Sequence, residues 1–309
     1  MHVPLSYWIY FNAFVLVMLW LDLALFHPKA KQSTFRQSLF WVLFWVGLAT
    51  AFGFLVLREW GGEKALEFTT GYVIELSLSV DNLFIFLLIF RHFAVPAELQ
   101  HRVLFWGVLG ALVMRGGFVI AGSELLQKFD WLIYLFGIFL IYTAIRTAIH
   151  REEVDPERNV ALRAFRRLLP VTSEYEGPHF LVRREGKIRA TPLLLVLLLV
   201  EVTDVLLATD SVPAVLSITR DAFIVYTSNI FAVLGLRSLY FVVEGMMQRF
   251  YLLHYGVCVL LAFVGGKMLL SHYFEMPTGL TLLIVLVVLT ASIVGSMVFP
   301  ENKKTSEAA

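Results

Sequence analysis

Nine long apolar segments leave this 309-residue chain little choice of fold. They lie at about 5–26, 38–57, 69–90, 102–122, 130–149, 192–216, 221–243, 251–271 and 278–299. Each is close to the roughly 20 residues that an α-helix needs to cross a bilayer. With 59% hydrophobic and only 16% charged residues, the chain exceeds the apolar share of a soluble domain. The sequence predicts an all-α, polytopic membrane helix bundle of about nine transmembrane helices.

Lysine and arginine favour cytoplasmic loops, so their distribution predicts the orientation. If the long loop 150–191 is cytoplasmic, alternation assigns eight further basic residues to that side: Lys29, Lys31, Arg36, Arg91, Arg102, Arg249, Lys303 and Lys304. The other side keeps Arg58, Lys64, Lys128 and Arg220. We therefore expect an outside N-terminus and a cytoplasmic C-terminus. The loop also carries seven acids, which dilute its basic character, so we expect a solvated linker that binds no nucleic acid. The partner that we expect for the protein as a whole is the lipid bilayer.

An acidic motif occurs once on each side of the long loop. The copies are Glu75-Leu-Ser-Leu-Ser-Val-Asp81-Asn82 and Asp204-Val-Leu-Leu-Ala-Thr-Asp210-Ser211. Each has an acid, five intervening residues, an aspartate and a small polar residue, and Arg115 and Arg237 follow in matching order. Three helices per copy is an odd number, so the second copy must enter the membrane from the opposite face. The sequence thus predicts a 3+3 inverted repeat.

This repeat divides the chain into five parts. Residues 1–64 hold two N-terminal transmembrane helices, and 65–149 form the first three-helix repeat. Residues 150–191 are the cytoplasmic loop, and 192–274 form the second three-helix repeat. Residues 275–309 hold the final transmembrane helix and a cytoplasmic tail.

Six acids fall within the predicted spans, where a carboxylate costs roughly 2.5–3.5 kcal/mol at a helix centre. They are Asp22, which we expect at the interface, and Glu75, Asp81, Glu201, Asp204 and Asp210. Only Arg115 and Arg237 oppose them as deep bases, and we interpret both as counter-ions. The excess of negative charge favours a bound cation or protonated carboxyls. Oxygen ligands without histidine suit Mg²⁺, Ca²⁺ or Mn²⁺.

The two motif aspartates are the predicted ligands of an ion near the middle of the membrane. Asp81 and Asp210 would bind it, with Asn82 and Ser211 completing the shell. On a regular helix Asp204 and Asp210 are about 120° apart, so their convergence requires a break. Pro213 predicts one, because it cannot donate a hydrogen bond to the Thr209 carbonyl. The remaining acids, Glu75, Glu201 and Asp204, would relay ions or exchange protons.

Several motifs together resemble the TerC/Alx family of integral membrane proteins over about residues 1–300. They are Glu75-Leu-Ser-Leu-Ser-Val-Asp81-Asn82-Leu-Phe, Glu201-Val-Thr-Asp204, Thr209-Asp210-Ser211-Val-Pro213-Ala214, Thr227-Ser-Asn229 and Gly235-Leu-Arg237. The resemblance implies a nine-span protein of the inner (plasma) membrane that exports Mn²⁺. It also implies an ion pathway through Glu75, Asp81, Asn82, Glu201, Asp204, Asp210 and Ser211.

We therefore expect an alternating-access exporter of divalent metal, with Mn²⁺ as substrate, a proton as the candidate counter-ion, no cofactor and no enzymatic activity. Three alternatives stay open. The acids could be structural, held in buried pairs by Arg115, Arg237 or Asn229. The protein could be a non-transporting partner of envelope biogenesis or secretion machinery. An intramembrane aspartyl protease would need two carboxylates that share a proton, and nothing in the sequence indicates this.

Overall fold

The structure, a computed structural model, describes residues 3–26, 35–129, 131–149, 170–172, 174–184, 187–246, 251–274 and 276–298. These residues form an all-α bundle with one short hairpin. The helices are α1 (Leu5–Phe26), α2 (Phe35–Trp60), α3 (Gly62–His92), α4 (Ala97–Lys128), α5 (Leu132–Ile149), α6 (Pro192–Leu216), α7 (Ala222–Leu234), α8 (Leu236–Met246), α9 (Tyr251–Leu270) and α10 (Thr278–Val298). The strands are β1 (Leu181–Arg184) and β2 (Lys187–Ala190), which pair antiparallel.

Seven of the described helices, α2 to α6, α9 and α10, are long and apolar enough to cross a membrane. The pair α7 and α8 passes the same test when taken together, and α1 adds an apolar stretch at Leu5–Leu21. In lipid every backbone amide needs a partner within the protein, and a helix supplies it. The protein is a polytopic helical membrane protein, as the sequence predicts. The number of nine spans stays a prediction.

One predicted span differs from expectation, because 221–243 contains a break. Helices α7 and α8 meet at Gly235 with a bend of 44°. A Cβ at Gly235 would lie 3.5 Å from the Cβ of Trp45 on α2, which packs against the bend. Sharp bends in helices occur at glycine because it has no side chain to pack along the helix. The corresponding helix of the first half, α4, runs unbroken for 32 residues.

The contacts between helices have a symmetry that relates the two halves. Helix α5 packs against α9, α4 against α6, and α3 against α7. Exchanging α3 with α6, α4 with the pair α7–α8, and α5 with α9 maps these contacts onto themselves, which is what an inverted repeat requires. At the α5–α9 crossing, a Cβ at Gly265 would lie 2.7 Å from the Gly137 carbonyl oxygen. Small residues allow such close approach of membrane helices. The 3+3 repeat itself stays a prediction.

A wide cavity opens at the end of the bundle where α3, α5 and α10 begin and α6 and α9 end. We call it the end cavity; it measures about 1190 Å³. Its lining includes Lys64, Trp131, Arg220, Lys267 and Thr278. Lys64 and Arg220 are basic residues that alternation assigns to one side of the membrane, and the structure brings them to one face. Whether that face is outside stays a prediction.

At the opposite end, the described part of the predicted loop 150–191 packs onto the helices. The Tyr175 hydroxyl donates to the Phe93 carbonyl at 2.8 Å, and burial raises the pKa of this phenol to about 12. The Arg102 guanidinium lies 5.4 Å above the Phe180 ring centre. The sequence predicted neither the hairpin nor this docking. Residues 150–169, and the tail 299–309, lie outside the described residues.

Candidate functional site

A buried arginine in the middle of the bundle joins acids from both halves. Arg115 on α4 is 0% exposed. Its Nε and Nη2 donate to Asp204 Oδ2 and Oδ1 on α6, at 3.3 and 3.0 Å. Its Nη1 donates to Glu75 Oε1 on α3 and, at 3.0 Å, to Asn229 Oδ1 on α7. One guanidinium therefore connects four helices, and two carboxylates surround it.

This cluster lies far from both ends of α3, α4 and α6. Asp204 is the central residue of the 25-residue α6, about 18 Å from either end at 1.5 Å per residue. Glu75 lies 13 residues after the first residue of α3, and Arg115 lies 13 residues before the last residue of α4. Although α3 and α6 run in opposite directions, Glu75, Arg115 and Asp204 therefore lie at similar heights along the bundle. The cluster thus lies near the middle of these three helices.

The charges and hydrogen bonds of the cluster are incompletely matched. Two carboxylates and one guanidinium give a formal charge of −1 when both acids are ionised. Among the described residues, Glu75 Oε2 and Asn229 Nδ2 are buried and have no hydrogen-bond partner. Buried polar groups usually have a partner, and an exception calls for an explanation such as a missing water or ion. Glu75 Oε2 therefore has spare capacity for a cation or a proton, and Asn229 Nδ2 has spare capacity to donate to a water or another acceptor.

Each copy of the acidic motif places its first and last residues on one face of its helix. Residues seven apart are nearly aligned after two turns of helix. On α3 this pairs Glu75 with Asn82, and on α6 it pairs Asp204 with Ser211; all four are buried. Ser79 falls on the same face of α3, and its buried hydroxyl, like that of Ser211, has no partner among the described residues. Two buried polar stripes thus start at the Arg115 cluster.

The second acid of each motif lies away from the cluster along the bundle. Asp81 and Asp210 each lie six residues beyond their motif's first acid, about 9 Å of helix, and α3 and α6 run in opposite directions. The backbone therefore separates Asp81 from Asp210, and the acids that meet in the middle of the bundle are Glu75 and Asp204, through Arg115. That any of these acids binds a metal ion stays a prediction. The side chain of Asp81, like that of Asp22, lies outside the described residues. Asp210 Oδ1 accepts a hydrogen bond from the Thr143 hydroxyl at 3.3 Å.

Two further predictions about α6 have different outcomes. The predicted break at Pro213 is wrong, because α6 continues through this residue and ends at Leu216. Pro213 removes only one amide hydrogen bond, and the neighbouring backbone hydrogen bonds keep this turn of α6 helical. Glu201 lies one turn before Asp204 and is half-buried. Its carboxylate lies so close to Gly110 of α4 that any Cβ at that glycine would overlap it.

A narrow cavity adjoins Asp204. It has a volume of about 10 Å³ and is lined mainly by apolar residues, among them Phe86, Val108 and Val200. On this measure about 10–15 Å³ is what one water molecule requires. Among the described side chains, no group of three or more His, Cys, Asp or Glu residues converges on a metal position. A metal bound here would need amide, hydroxyl or water oxygens in addition to the carboxylates.

Comparison with known proteins identifies the family of this chain. The family model described as "Integral membrane protein TerC family" matches residues 60–305. The chain belongs to the TerC family. It is 46% identical over 302 residues to "Uncharacterized membrane protein STKORF319" of Myxococcus xanthus, covering 97% of this chain and 95% of that protein.

Two further relatives cover almost the whole of this TerC-family chain. "Putative membrane-bound redox modulator Alx" of Escherichia coli (strain K12) is 42% identical over 297 residues, covering 93% of this chain and 92% of its own. An "Uncharacterized membrane protein" of Rickettsia felis is 36% identical over 292 residues, covering 94% and 97%. No solved structure matches the chain. The family assignment made from the sequence motifs is thus confirmed.

The sequence analysis missed two residues that this TerC-family structure places beside the acids. Gly110 leaves space for the Glu201 carboxylate, and Thr143 donates to Asp210. A glycine or a threonine inside an apolar span is too common to single out from sequence, since small residues line most membrane helix contacts. Arg237, the second predicted counter-ion, is buried directly after the bend at Gly235. Its role as a counter-ion stays a prediction.

Proposed function

We propose that this TerC-family protein exports a divalent metal ion, with Mn²⁺ as its substrate, through the intramembrane acids. The observation that carries the proposal is the buried cluster of Glu75, Arg115 and Asp204, which joins both halves of the chain near the middle of α3, α4 and α6. Inverted-repeat transporters bind their substrates near the middle of the membrane, between the repeats. Ionisable residues inside a membrane bundle are costly and generally functional.

In the proposed mechanism, the Arg115 guanidinium occupies the position that the transported cation would take between the two acids. This guanidinium contacts both Glu75 and Asp204. An arriving divalent ion would contact Glu75 Oε2, which has no partner among the described residues. It would then compete with Arg115 for the shared carboxylates. Carboxylate and amide oxygens suit a hard divalent cation.

The two polar stripes offer a route on each side of the cluster. On α3, Ser79 and Asn82 extend from Glu75 toward the end that carries the docked loop. On α6, Ser211 extends from Asp204 toward the end cavity. Buried hydroxyls and amides can replace part of the ion's water shell, as oxygen ligands do in cation sites. The half-buried Glu201, one turn from Asp204, is the group we assign to proton exchange.

Flux measurements on the purified full-length protein in liposomes test the proposal. We expect Mn²⁺ movement under an imposed pH gradient, measured with a trapped metal-sensitive dye. Glu75→Gln and Asp204→Asn should each lower it by about tenfold or more, because losing one charged contact costs about 1.5–3 kcal/mol. The matched control is Glu124→Gln, since this carboxylate is 64% exposed at the end of α4 and should leave flux unchanged.

The same measurement separates the alternatives. Folded wild-type protein that moves no divalent cation would contradict transport and favour a non-transporting membrane partner. Wild-type flux in the Asp204→Asn variant would favour a purely structural role for the cluster. Parallel measurements with Mg²⁺ and Ca²⁺ test the choice of Mn²⁺. A disulfide within one chain is not available for redox chemistry of the kind that the name of the Escherichia coli relative suggests, because the chain has a single cysteine.

A further inference from the structure

The end cavity is a large space, lined by described residues, that the export proposal does not explain. At about 1190 Å³ it exceeds the roughly 300–1,000 Å³ of most small-molecule sites. Its lining comes from the beginnings of α3, α5 and α10, the ends of α6 and α9, and the connections between them. A single divalent ion needs far less room, so the cavity suits a larger ligand.

The ionisable lining of this cavity is basic after its internal contacts are counted. Lys64, Arg220 and Lys267 oppose two acids, Glu67 and Asp221, which leaves a formal charge of +1 with His272 neutral. Both acids are already engaged. Glu67 Oε2 accepts from Lys64 Nζ at 2.6 Å. Asp221 Oδ1 accepts from the first amides of α7, Phe223 N at 3.0 Å and Ile224 N at 3.4 Å.

Lys267 is the cation that these contacts leave unmatched. It lies in the last turn of α9, it is half-buried, and it forms no ion pair within the part of the chain that the structure describes. A lysine in an apolar bundle is costly unless an anion or water satisfies it. Arg220 and His272 line the same space. Trp131 and Phe274 add aromatic surface to the lining.

We propose that the end cavity binds a phosphate-bearing anion, with Lys267 as its main contact and Arg220 and His272 beside it. Lysine binds phosphate as a compact point charge, and arginine adds fixed donors that match phosphate oxygens. The volume admits either a free phosphate compound or the headgroup of an anionic lipid. The aromatic side chains could pack against an acyl chain or a glycerol backbone. This site is separate from the Arg115 cluster and does not depend on metal export.

Calorimetric titration of the purified full-length protein tests the site. One arm adds inorganic phosphate, and the other adds anionic phosphatidylglycerol in mixed micelles, with zwitterionic lipid as reference. We expect one of the two to bind, and Lys267→Met to weaken that binding by about tenfold or more, as for loss of one charged hydrogen bond. The control Lys128→Met removes a lysine that is 70% exposed and does not line the cavity, so it should bind like wild type.

The outcomes distinguish the two sources of phosphate. Binding of inorganic phosphate that the anionic lipid does not displace supports a free anion, and binding of the anionic lipid alone supports a headgroup. The size-exclusion profile and melting temperature of Lys267→Met show whether this variant folds. If it does not fold, Arg220→Gln serves as the second variant. The absence of binding in both arms, or equal binding by wild type and both cavity variants, would overturn the proposal.

Discussion

Replacing Arg115 by methionine is the sharpest test of the buried cluster. Methionine keeps the length and apolar stem of the side chain but removes all four hydrogen bonds that the guanidinium donates. Glu75 and Asp204 would then face each other without a counter-charge in a buried place. We expect this single change to destabilise the protein more than removal of either acid.

The magnitude follows from the charges. With one base and two acids the cluster carries −1, and Arg115→Met changes this to −2, whereas Asp204→Asn changes it to zero. Breaking a buried ion pair by removing one partner costs about 3–5 kcal/mol, because a charge is left uncompensated. Asp204→Asn leaves Arg115 paired with Glu75 and keeps an oxygen acceptor. It should cost only about 1–3 kcal/mol, the range for a hydrogen bond to a charged group and its desolvated partner.

Reversible unfolding in mixed micelles of increasing denaturing detergent measures these free energies. Lys128→Met is the matched control on the same helix, since its pair with Glu124 spans 3.5 Å and both side chains are mostly exposed. Exposed pairs contribute no more than about 1 kcal/mol. The double variant Arg115→Met with Asp204→Asn should recover part of the loss, because it restores the charge to −1.

Two results would refute this reasoning. An Arg115→Met variant that unfolds like Lys128→Met would mean that the guanidinium does not hold the acids together. An Asp204→Asn variant as unstable as Arg115→Met would mean that the cluster does not carry an excess of negative charge. Either result would also remove the basis for a resident cation that a metal ion displaces.

Three further predictions concern other parts of the fold. Gly265→Ala should lower the folded yield, because its Cβ would lie 2.7 Å from the Gly137 carbonyl oxygen, whereas Gly266→Ala on the same helix should not, since nothing lies within 4 Å of its Cβ position; fluorescence-detected size exclusion compares them. Tyr175→Phe should lower stability by about 0.5–1.5 kcal/mol, the net value of one hydrogen bond, while Tyr273→Phe, at an 85% exposed site, should not, as detergent unfolding of both will tell. In a Cys258→Ala background, a membrane-impermeant thiol reagent added to intact cells should label Tyr273→Cys and leave Glu98→Cys unlabelled; the reverse pattern would invert the predicted orientation.

The amino-acid sequence was sufficient to predict the fold class, because apolar length is a local property. Each predicted span overlaps a described helix almost throughout or, for 221–243, the bent pair α7 and α8. The bend at Gly235 could not be predicted, since it depends on Trp45 packing from a helix far away in the chain. The hairpin of Leu181–Ala190 was missed for a related reason. Its strands are only four residues each, too short for a periodic pattern to stand out.

The candidate site shows where sequence reasoning stops. Charge inside apolar segments pointed to Glu75, Asp204 and Arg115, and the structure brings these three together. Equating the two motif aspartates with one central site did not fit, because the depth of a residue depends on where its helix begins. Helix α3 begins at Gly62, seven residues before the predicted span at 69. Depth is set by tertiary packing, and no local pattern in α3 or α6 reports it.

Whether the Arg115 cluster has a structural or a functional role can be argued from its charge, by asking how many charged groups are needed to hold four helices together. One guanidinium and one carboxylate would satisfy each other and leave no net charge in the bundle. This protein instead buries a second carboxylate, with Glu75 Oε2 and Asn229 Nδ2 unmatched among the described residues. Each buried ion costs several kcal/mol that a neutral residue would avoid. A stabilising clasp gains nothing from that excess, whereas the proposed exchange of a resident cation for a transported one would use it.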